Sequence, residues 1–220
     1  MSDYQNKPED YYVHARVDVL QLLKGKSNCS ILELGAGGGY TLAEAKRLGI
    51  ASYVAGVELF PLEGTLQKEP ILDEFHHADL NSDVLELNQK SFDVLICPDV
   101  LEHLIDPWSV LEKWSKYLKK DGLLIISIPN IREMSVLWKI FGKGDFGYTS
   151  DGILDRTHLR FFAKKNLFHL PSHQQFHRIE VKAAMHFQNG SRWRKWANRL
   201  TFGMFESFFT HQWFVTAIKK

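Results

Sequence analysis

Short apolar runs, separated by stretches with helical periodicity, recur through the first 130 residues of this 220-residue chain. The runs are Ser30-Ile31-Leu32-Glu33-Leu34, Tyr53-Val54-Ala55-Gly56-Val57-Glu58, Phe92-Asp93-Val94-Leu95-Ile96-Cys97 and Leu123-Leu124-Ile125-Ile126-Ser127-Ile128. Each is nearly continuous in apolar residues, as a strand covered on both faces must be. Between the first two, Leu42, Ala45 and Leu48 recur three apart and Gly49 follows, which predicts a helix from Tyr40 to Leu48 with a glycine stop. Asp106-Pro107 offers an N-cap and a first-turn proline to another helix, with Trp108, Leu111, Trp114 and Leu118 on its apolar face and Asp121-Gly122 at its end. A weaker strand is expected around Glu74 to Ala78, and Tyr11 to Leu23 reads as an amphipathic helix. Strands alternating with helices build a parallel sheet.

The pattern changes after Pro129-Asn130. Residues 131 to 160 hold Gly142, Gly144, Gly147 and Gly152 without a long periodic element, so a short helix and a long loop are expected. A strand at Arg178 to Met185 and a terminal one at Gln212 to Lys219 flank a helical insert rich in Trp, Phe and Arg.

Composition adds bounds. With 45% hydrophobic and 24% charged residues the chain suits one compact domain. No run approaches the roughly 20 apolar residues of a membrane span, and Met1-Ser2-Asp3-Tyr4-Gln5 lacks a signal-peptide pattern, so a soluble, cytoplasmic protein is expected. Cys29 and Cys97 are too few for a disulfide framework. The net charge of +1 hides a division. Residues 1–120 carry 12 Lys+Arg against 19 Asp+Glu, a net of −7, whereas residues 121–220 carry 15 against 7, a net of +8. Of the 28 aromatic residues, 16 fall in the last 80 positions.

The sharpest local signal is Glu33-Leu34-Gly35-Ala36-Gly37-Gly38-Gly39, a strand running into glycines and then a helix. Such a loop lets the backbone turn tightly and approach a nucleotide-type ligand. A dinucleotide fingerprint wants glycine where Tyr40 stands, which counts against NAD. Glu58 ends the second strand about 20 residues on, where a carboxylate can accept from ribose hydroxyls. Asp79 follows the third strand, and Cys97-Pro98-Asp99-Val100-Leu101-Glu102-His103-Leu104 follows the fourth.

With its spacing acid-x-Gly-x-Gly-x-Gly and this post-strand segment, the chain resembles the class I S-adenosylmethionine-dependent methyltransferases, in particular a group containing many small-molecule O-methyltransferases. Leu154-Asp155-Arg156-Thr157-His158-Leu159-Arg160-Phe161-Phe162 is similar to a segment in a subset of that group associated with sugar or envelope biosynthesis. The resemblance implies a Rossmann-like, doubly wound α/β fold with a seven-stranded sheet, an antiparallel last strand and helices on both faces. It also implies S-adenosyl-L-methionine as cofactor and S-adenosyl-L-homocysteine as product. The expected organisation is a single domain over 1–220, with 1–130 binding the cofactor and with 131–165 and 187–211 forming an acceptor-side loop and helical insert.

On this reading Glu33, Gly35, Ala36, Gly37, Gly39, Glu58, Leu59, Asp79, Leu80, Cys97 and Pro98 surround the cofactor. Tyr11, Tyr12 and Arg16 cap its methionine end. His103 is the candidate general base, because an imidazole titrates near neutrality and can take a hydroxyl proton. Asp99, Glu102 and His103 would share a face of a helical turn, and related quinone-pathway O-methyltransferases use similar residues for a divalent metal; with Asp in the first place, no metal is expected. His169, His173 and His177 are four apart, but Pro171 interrupts the face they would share. Arg156, His158 and Arg160 alternate in an extended segment and are expected to grip an anionic group on the acceptor.

The segment Ser191 to Leu200 interleaves cations with Trp193 and Trp196. An interfacial membrane helix, a nucleic-acid patch and a lid over the acceptor pocket compete. A lid is favoured, with Trp193 touching the acceptor and Phe202, Phe205, Phe208 and Phe209 on its apolar side, and peripheral membrane contact through 191–209 stays open for a lipid-linked acceptor. Duplex nucleic acid is not expected, since the net charge lacks a broad basic footprint and neither an Asn/Asp-Pro-Pro-aromatic nor a Pro-Cys motif follows the fourth strand. The expected function is methyl transfer to a small-molecule acceptor that is anionic or linked to lipid or sugar, through oxygen. The competing class is a catalytically inactive cofactor-binding partner protein.

Overall fold

The structure is a computed structural model that describes residues 13–87, 91–186 and 192–220. Among these residues one sheet is built from β1 (Cys29–Leu34), β2 (Ala51–Glu58), β3 (Glu74–His77), β4 (Phe92–Pro98), β5 (Leu118–Pro129), β6 (Phe176–Ala183) and β7 (Gln212–Lys219). The strand order is β3-β2-β1-β4-β5-β7-β6. The pairs among β1 to β5 are parallel, and β7 runs antiparallel between β5 and β6. The parallel part is the sheet expected from the alternation of apolar runs with helices, and the seven-stranded doubly wound arrangement with its antiparallel last strand is the one the resemblance implied.

Period-two geometry sorts each central strand's side chains between two cores. Leu32, Leu34, Val57, Leu95 and Cys97 join Trp114, Phe92 and Trp213 on one side of the sheet. Ile31, Val54, Val94 and Ile96 join Leu20, Leu23 and Leu42 on the other. Every residue of β1 is buried, which is why its sequence is almost wholly apolar. β6 lies at the sheet's edge and alternates between covered and solvated positions.

Helix boundaries follow the local chemistry. Tyr40–Arg47 starts from Gly39, whose φ of 81° is left-handed, and stops before Gly49, at φ 70°. Pro107–Trp114 is capped by Asp106, whose carboxylate accepts from the Ser109 backbone N–H at 3.1 Å. Four expectations change. The helix opened by Asp106-Pro107 ends at Trp114, a 3₁₀ turn over Ser115–Tyr117 follows, and Leu118 and Asp121-Gly122 belong to β5 instead of closing the helix, while Trp108 is exposed. The amphipathic helix near the N-terminus is, in the described part, one turn over Val17–Leu20 followed by a 3₁₀ turn over Gln21–Leu23, with Tyr11 and Tyr12 outside the described residues. Between β5 and β6 the short helix is Met134–Leu137, continued by a π turn over Trp138–Gly142. The insert is two helices, Arg192–Leu200 and Glu206–Phe209, rather than one face carried through Phe209. Left-handed backbone at Phe202 (φ 50°) and Gly203 (φ 78°) breaks the 3.6-residue period between them.

Chain order reverses between β1 and β4, so the loops leaving their carboxyl ends diverge and open a crevice. In open α/β sheets this is where ligands bind.

Candidate active site

A cavity of about 610 Å³ occupies that crevice. Its walls come from the segments that follow β1, β2, β3 and β4, together with His14 and Arg16 from the N-terminal side and Leu159 from the long loop.

The glycine loop forms the floor. Gly35, Gly37 and Gly39 adopt φ of 69°, 51° and 81°, so the alternating glycines mark alternating left-handed positions that a side chain would strain. At Gly35 a Cβ would also lie 2.7 Å from the Val100 side chain, so the β1 and β4 loops touch only because glycine stands there. The loop is tied to β2: the backbone N–H groups of Gly35 and Ala36 donate to the Val57 carbonyl at 2.9 and 3.0 Å. The Gly37 N–H donates to Glu58 Oε2 at 2.8 Å, and the Leu59 N–H donates to Glu58 Oε1 at 2.7 Å. Burial raises the Glu58 carboxyl above its ordinary value, opposed by hydrogen bonds from the backbone of Leu59, Gly37 and Phe60. Three backbone donors leave about one of the carboxylate's four acceptor directions for a ligand.

Glu33 lies deeper, 1% exposed, and burial pushes its carboxyl well up, with the Arg16 guanidinium opposing. Its Oε2 has no protein hydrogen-bond partner, so the cavity floor carries an acceptor that a donor or cationic ligand would satisfy. Arg16 spans the opposite rim. It pairs with Asp99 and with Asp18 at 3.0 Å, and donates to Ser127 Oγ at 3.0 Å and Gln212 Oε1 at 3.3 Å. Ser127 and Gln212 also donate to Asp99. Arg16 and Asp99 therefore lock the N-terminal segment to the ends of β4, β5 and β7.

His103 follows on a 3₁₀ turn over Leu101–His103 and lines the cavity. Its Nδ1 lies 3.1 Å from the Thr157 carbonyl; donation from Nδ1 there gives the neutral ring its lone pair on Nε2. The His158 ring packs edge-on against it at 4.7 Å, and His158 Nδ1 lies 2.9 Å from the Ile153 carbonyl. Behind both sits Glu102, 1% exposed, its carboxyl pushed up to about 8 by burial. Its nearer oxygen lies 4.0 Å from His158 Nε2, while its backbone carbonyl accepts from the N–H groups of Leu159 and Arg160 at 2.8 and 3.0 Å.

Of the residues singled out from sequence, Arg16, Glu33, Gly35, Ala36, Gly37, Glu58, Leu59, Asp79, Leu80, Pro98 and His103 line the cavity. Others do not. Gly39 starts the helix instead, where a Cβ would strike Leu72 at 2.6 Å. Cys97 points into the core, fully buried, and burial raises its thiol. Arg156, His158 and Arg160 do not project together: Arg156 and Arg160 are exposed, Arg160 donating to the Ile105 carbonyl at 3.1 Å, whereas His158 is buried beside Glu102. Trp193 is 54% exposed and lies away from the cavity wall. Tyr12 lies outside the described residues. The grouping of Asp99 with Glu102 and His103 does not form as the helical turn suggested, since Arg16 holds Asp99. Glu102, His103 and His158 instead bring donor atoms within 4.8 Å of one another. His169 and His173 meet edge-on at 5.5 Å beyond a one-turn helix, and His177 belongs to β6.

Sequence reading missed Gln67, whose amide donates to the Gly37 carbonyl at 2.8 Å and whose oxygen accepts from the Leu62 N–H at 2.9 Å. It also missed His14, Thr41, Phe60 and Asn81 in the wall. A buried glutamine in an irregular segment gives no periodic signal.

A family model described as a methyltransferase domain matches residues 9–217. The chain belongs to the class I S-adenosylmethionine-dependent methyltransferases. It is 28% identical over 126 residues, 56% of this chain and 53% of the other, to a ubiquinone biosynthesis O-methyltransferase of Nitrosomonas europaea. The chain spans about half the length of the curated relatives it matches. Among solved structures, an S-adenosylmethionine-dependent methyltransferase from Mesorhizobium loti superposes with a TM-score of 0.59 at 17% identity, covering 97% of this chain and 99% of that one. The phosphoethanolamine N-methyltransferase 2 of Haemonchus contortus, in complex with phosphomonomethylethanolamine and S-adenosylhomocysteine, superposes with a TM-score of 0.59 at 16% identity, covering 93% of this chain and 52% of that one. At these identities the structures share the fold. No helix among the described residues is long and apolar enough to cross a membrane.

Proposed function

We propose that this chain is an S-adenosylmethionine-dependent O-methyltransferase acting on a small hydroxyl-bearing acceptor that is anionic or linked to lipid or sugar. The observation that carries the reading is the cavity at the strand-order reversal, floored by left-handed glycines and bordered by the Glu58 carboxylate. The orphaned Glu33 oxygen in its wall fits a ligand with a cationic end. Bound there, S-adenosylmethionine supplies an activated methyl group on a positively charged sulfur.

The chain's own residues then align and deprotonate. Glu58 accepts from the ribose hydroxyls, and Asp79 and Leu80 border the adenosine end. The acidic first half of the sequence favours a cationic ligand. His103 takes the acceptor's hydroxyl proton on Nε2, held in that tautomer by the Thr157 carbonyl. Thr157 and His158 thus act as positioning residues, a different part for the 154–162 segment than a grip on the acceptor. The similarity to ubiquinone biosynthesis O-methyltransferases favours oxygen as the methylated atom. The basic 121–220 half favours an anionic acceptor.

The test is acceptor-dependent release of S-adenosylhomocysteine. Phenols bearing a carboxylate, a phosphate or an alkyl tail are compared with the same compounds already O-methylated. Release with the free hydroxyl compounds alone, matched by ether formation, is expected. Cofactor binding without release for any acceptor would instead make the chain a binding partner without catalysis.

A further inference from the structure

The helix Arg192–Leu200 sits on the protein by its polar side. Arg194 donates to Glu133 Oε1 at 2.8 Å and to the Phe209 carbonyl at 3.1 Å, and Asn198 is buried. Trp193, Trp196 and Leu200, spaced to share one face, are 54%, 66% and 57% exposed. The apolar stripe runs on into the following turn, where Phe202 is 93% and Met204 77% exposed. A helix of a soluble domain ordinarily turns such a stripe to the core, and a contiguous exposed apolar surface marks an interaction site. Of the apolar side expected for a lid, Phe202 and Phe205 are exposed, whereas Phe208 and Phe209 are half-buried, Phe209 against the core.

The surface has a place and a charge. Asn130, which follows β5, donates to the carbonyls of Ser207 and Thr210, so the insert is anchored at the same end of the sheet as the cavity. A second exposed apolar pair, Trp138 and Phe141, follows Glu133 on the other side of the Glu133–Arg194 bridge. Arg192 and Arg199 are exposed beside the stripe, and residues 192–205 contain no acidic residue.

We propose that this surface docks the protein on an anionic lipid bilayer. Tryptophans and a protruding phenylalanine enter the boundary between headgroups and chains without needing a preformed pocket, and flanking arginines meet anionic headgroups. A second copy would bring two positive faces together, which opposes self-pairing. The inference does not depend on the reaction assigned above.

The full chain is mixed with phosphatidylglycerol/phosphatidylcholine vesicles and with pure phosphatidylcholine vesicles, and binding is read by co-sedimentation and by the tryptophan emission shift. Binding to the anionic vesicles, weakening with salt and at least roughly tenfold weaker on the zwitterionic ones, is expected. The triple variant Trp193→Ser, Trp196→Ser, Phe202→Ser loses it, Arg192→Glu with Arg199→Glu removes the preference for anionic lipid, and Val84→Ser, at another exposed apolar position, binds as wild type. Circular dichroism checks each fold, and Phe202→Ser alone, at a fully solvated side chain, weakens binding even if the triple variant misfolds. Equal or absent binding to the two vesicle types would overturn the proposal. So would undiminished binding in a folded triple variant, or a wild-type dimer, without vesicle binding, that the triple variant converts to monomer.

Discussion

Glu58→Ala is expected to weaken binding of S-adenosylmethionine and S-adenosylhomocysteine by roughly a hundredfold, about 3 kcal/mol, the worth of one or two hydrogen bonds to a charged acceptor. Two losses combine. The ribose hydroxyls lose their acceptor, and the glycine loop loses the carboxylate that receives the Gly37 N–H at 2.8 Å. Glu58→Gln separates them, because an amide keeps one acceptor oxygen but cannot receive from both the loop and the ribose with charge. Its affinity should fall between wild type and Ala. Calorimetric titration measures this directly, with circular dichroism to establish that β2 remains paired. Wild-type affinity in folded Glu58→Ala would reject the ribose role and, with it, this placement of the cofactor.

The second large effect concerns turnover. His103→Ala should lower kcat by about 10²–10⁴-fold, the range of a positioned general base, while cofactor affinity changes by no more than about twofold. The split follows from position: His103 lines the cavity beyond the glycine loop and Glu58, and its ring is set by the Thr157 carbonyl and the His158 ring. A residue that only filled space would lose activity and affinity together. Added imidazole offers a readout that packing would not move, since a small base entering the vacated space should restore part of the rate. Undiminished kcat in the variant would sink the assignment.

The parts of the site legible in the sequence are those that backbone geometry dictates locally. A strand that must bend into left-handed turns writes glycines at every second position, and an acidic residue at the next strand's end is fixed by its distance along the chain. The same local reading goes too far at Gly39 and Cys97. One serves the helix start and the other faces the core, because a strand end has two faces and spacing alone does not choose between them. Contacts across long separations were illegible. Arg16 reaches Asp99 across 83 residues, and His103 meets the Thr157 carbonyl across 54. Neither leaves a periodic trace, and each reassigns a residue: Asp99 becomes part of a rim lock, and the 154–162 segment becomes support for His103. The insert teaches the same lesson. Its cations and tryptophans foretell an amphipathic helix, but spacing alone does not say which face turns inward, and here the inward face carries Arg194 against the buried Glu133.

The charge division gains a location from the fold. The acidic first part of the chain supplies the walls from β1 to β4, where a cationic ligand is expected, and the basic remainder supplies the insert at the same end of the sheet. A cationic donor and an anionic acceptor or surface would then approach from complementary sides.

A crystal structure of the full chain with S-adenosylhomocysteine tests directly whether this crevice holds the cofactor. The ligand is expected in the crevice between the β1 and β4 loops, its ribose hydroxyls within hydrogen-bond distance of Glu58, its adenine beside Asp79 and Leu80, and its sulfur on the side of His103. A nucleoside bound elsewhere, or bound in this crevice with Glu58 left out of contact, would contradict this placement.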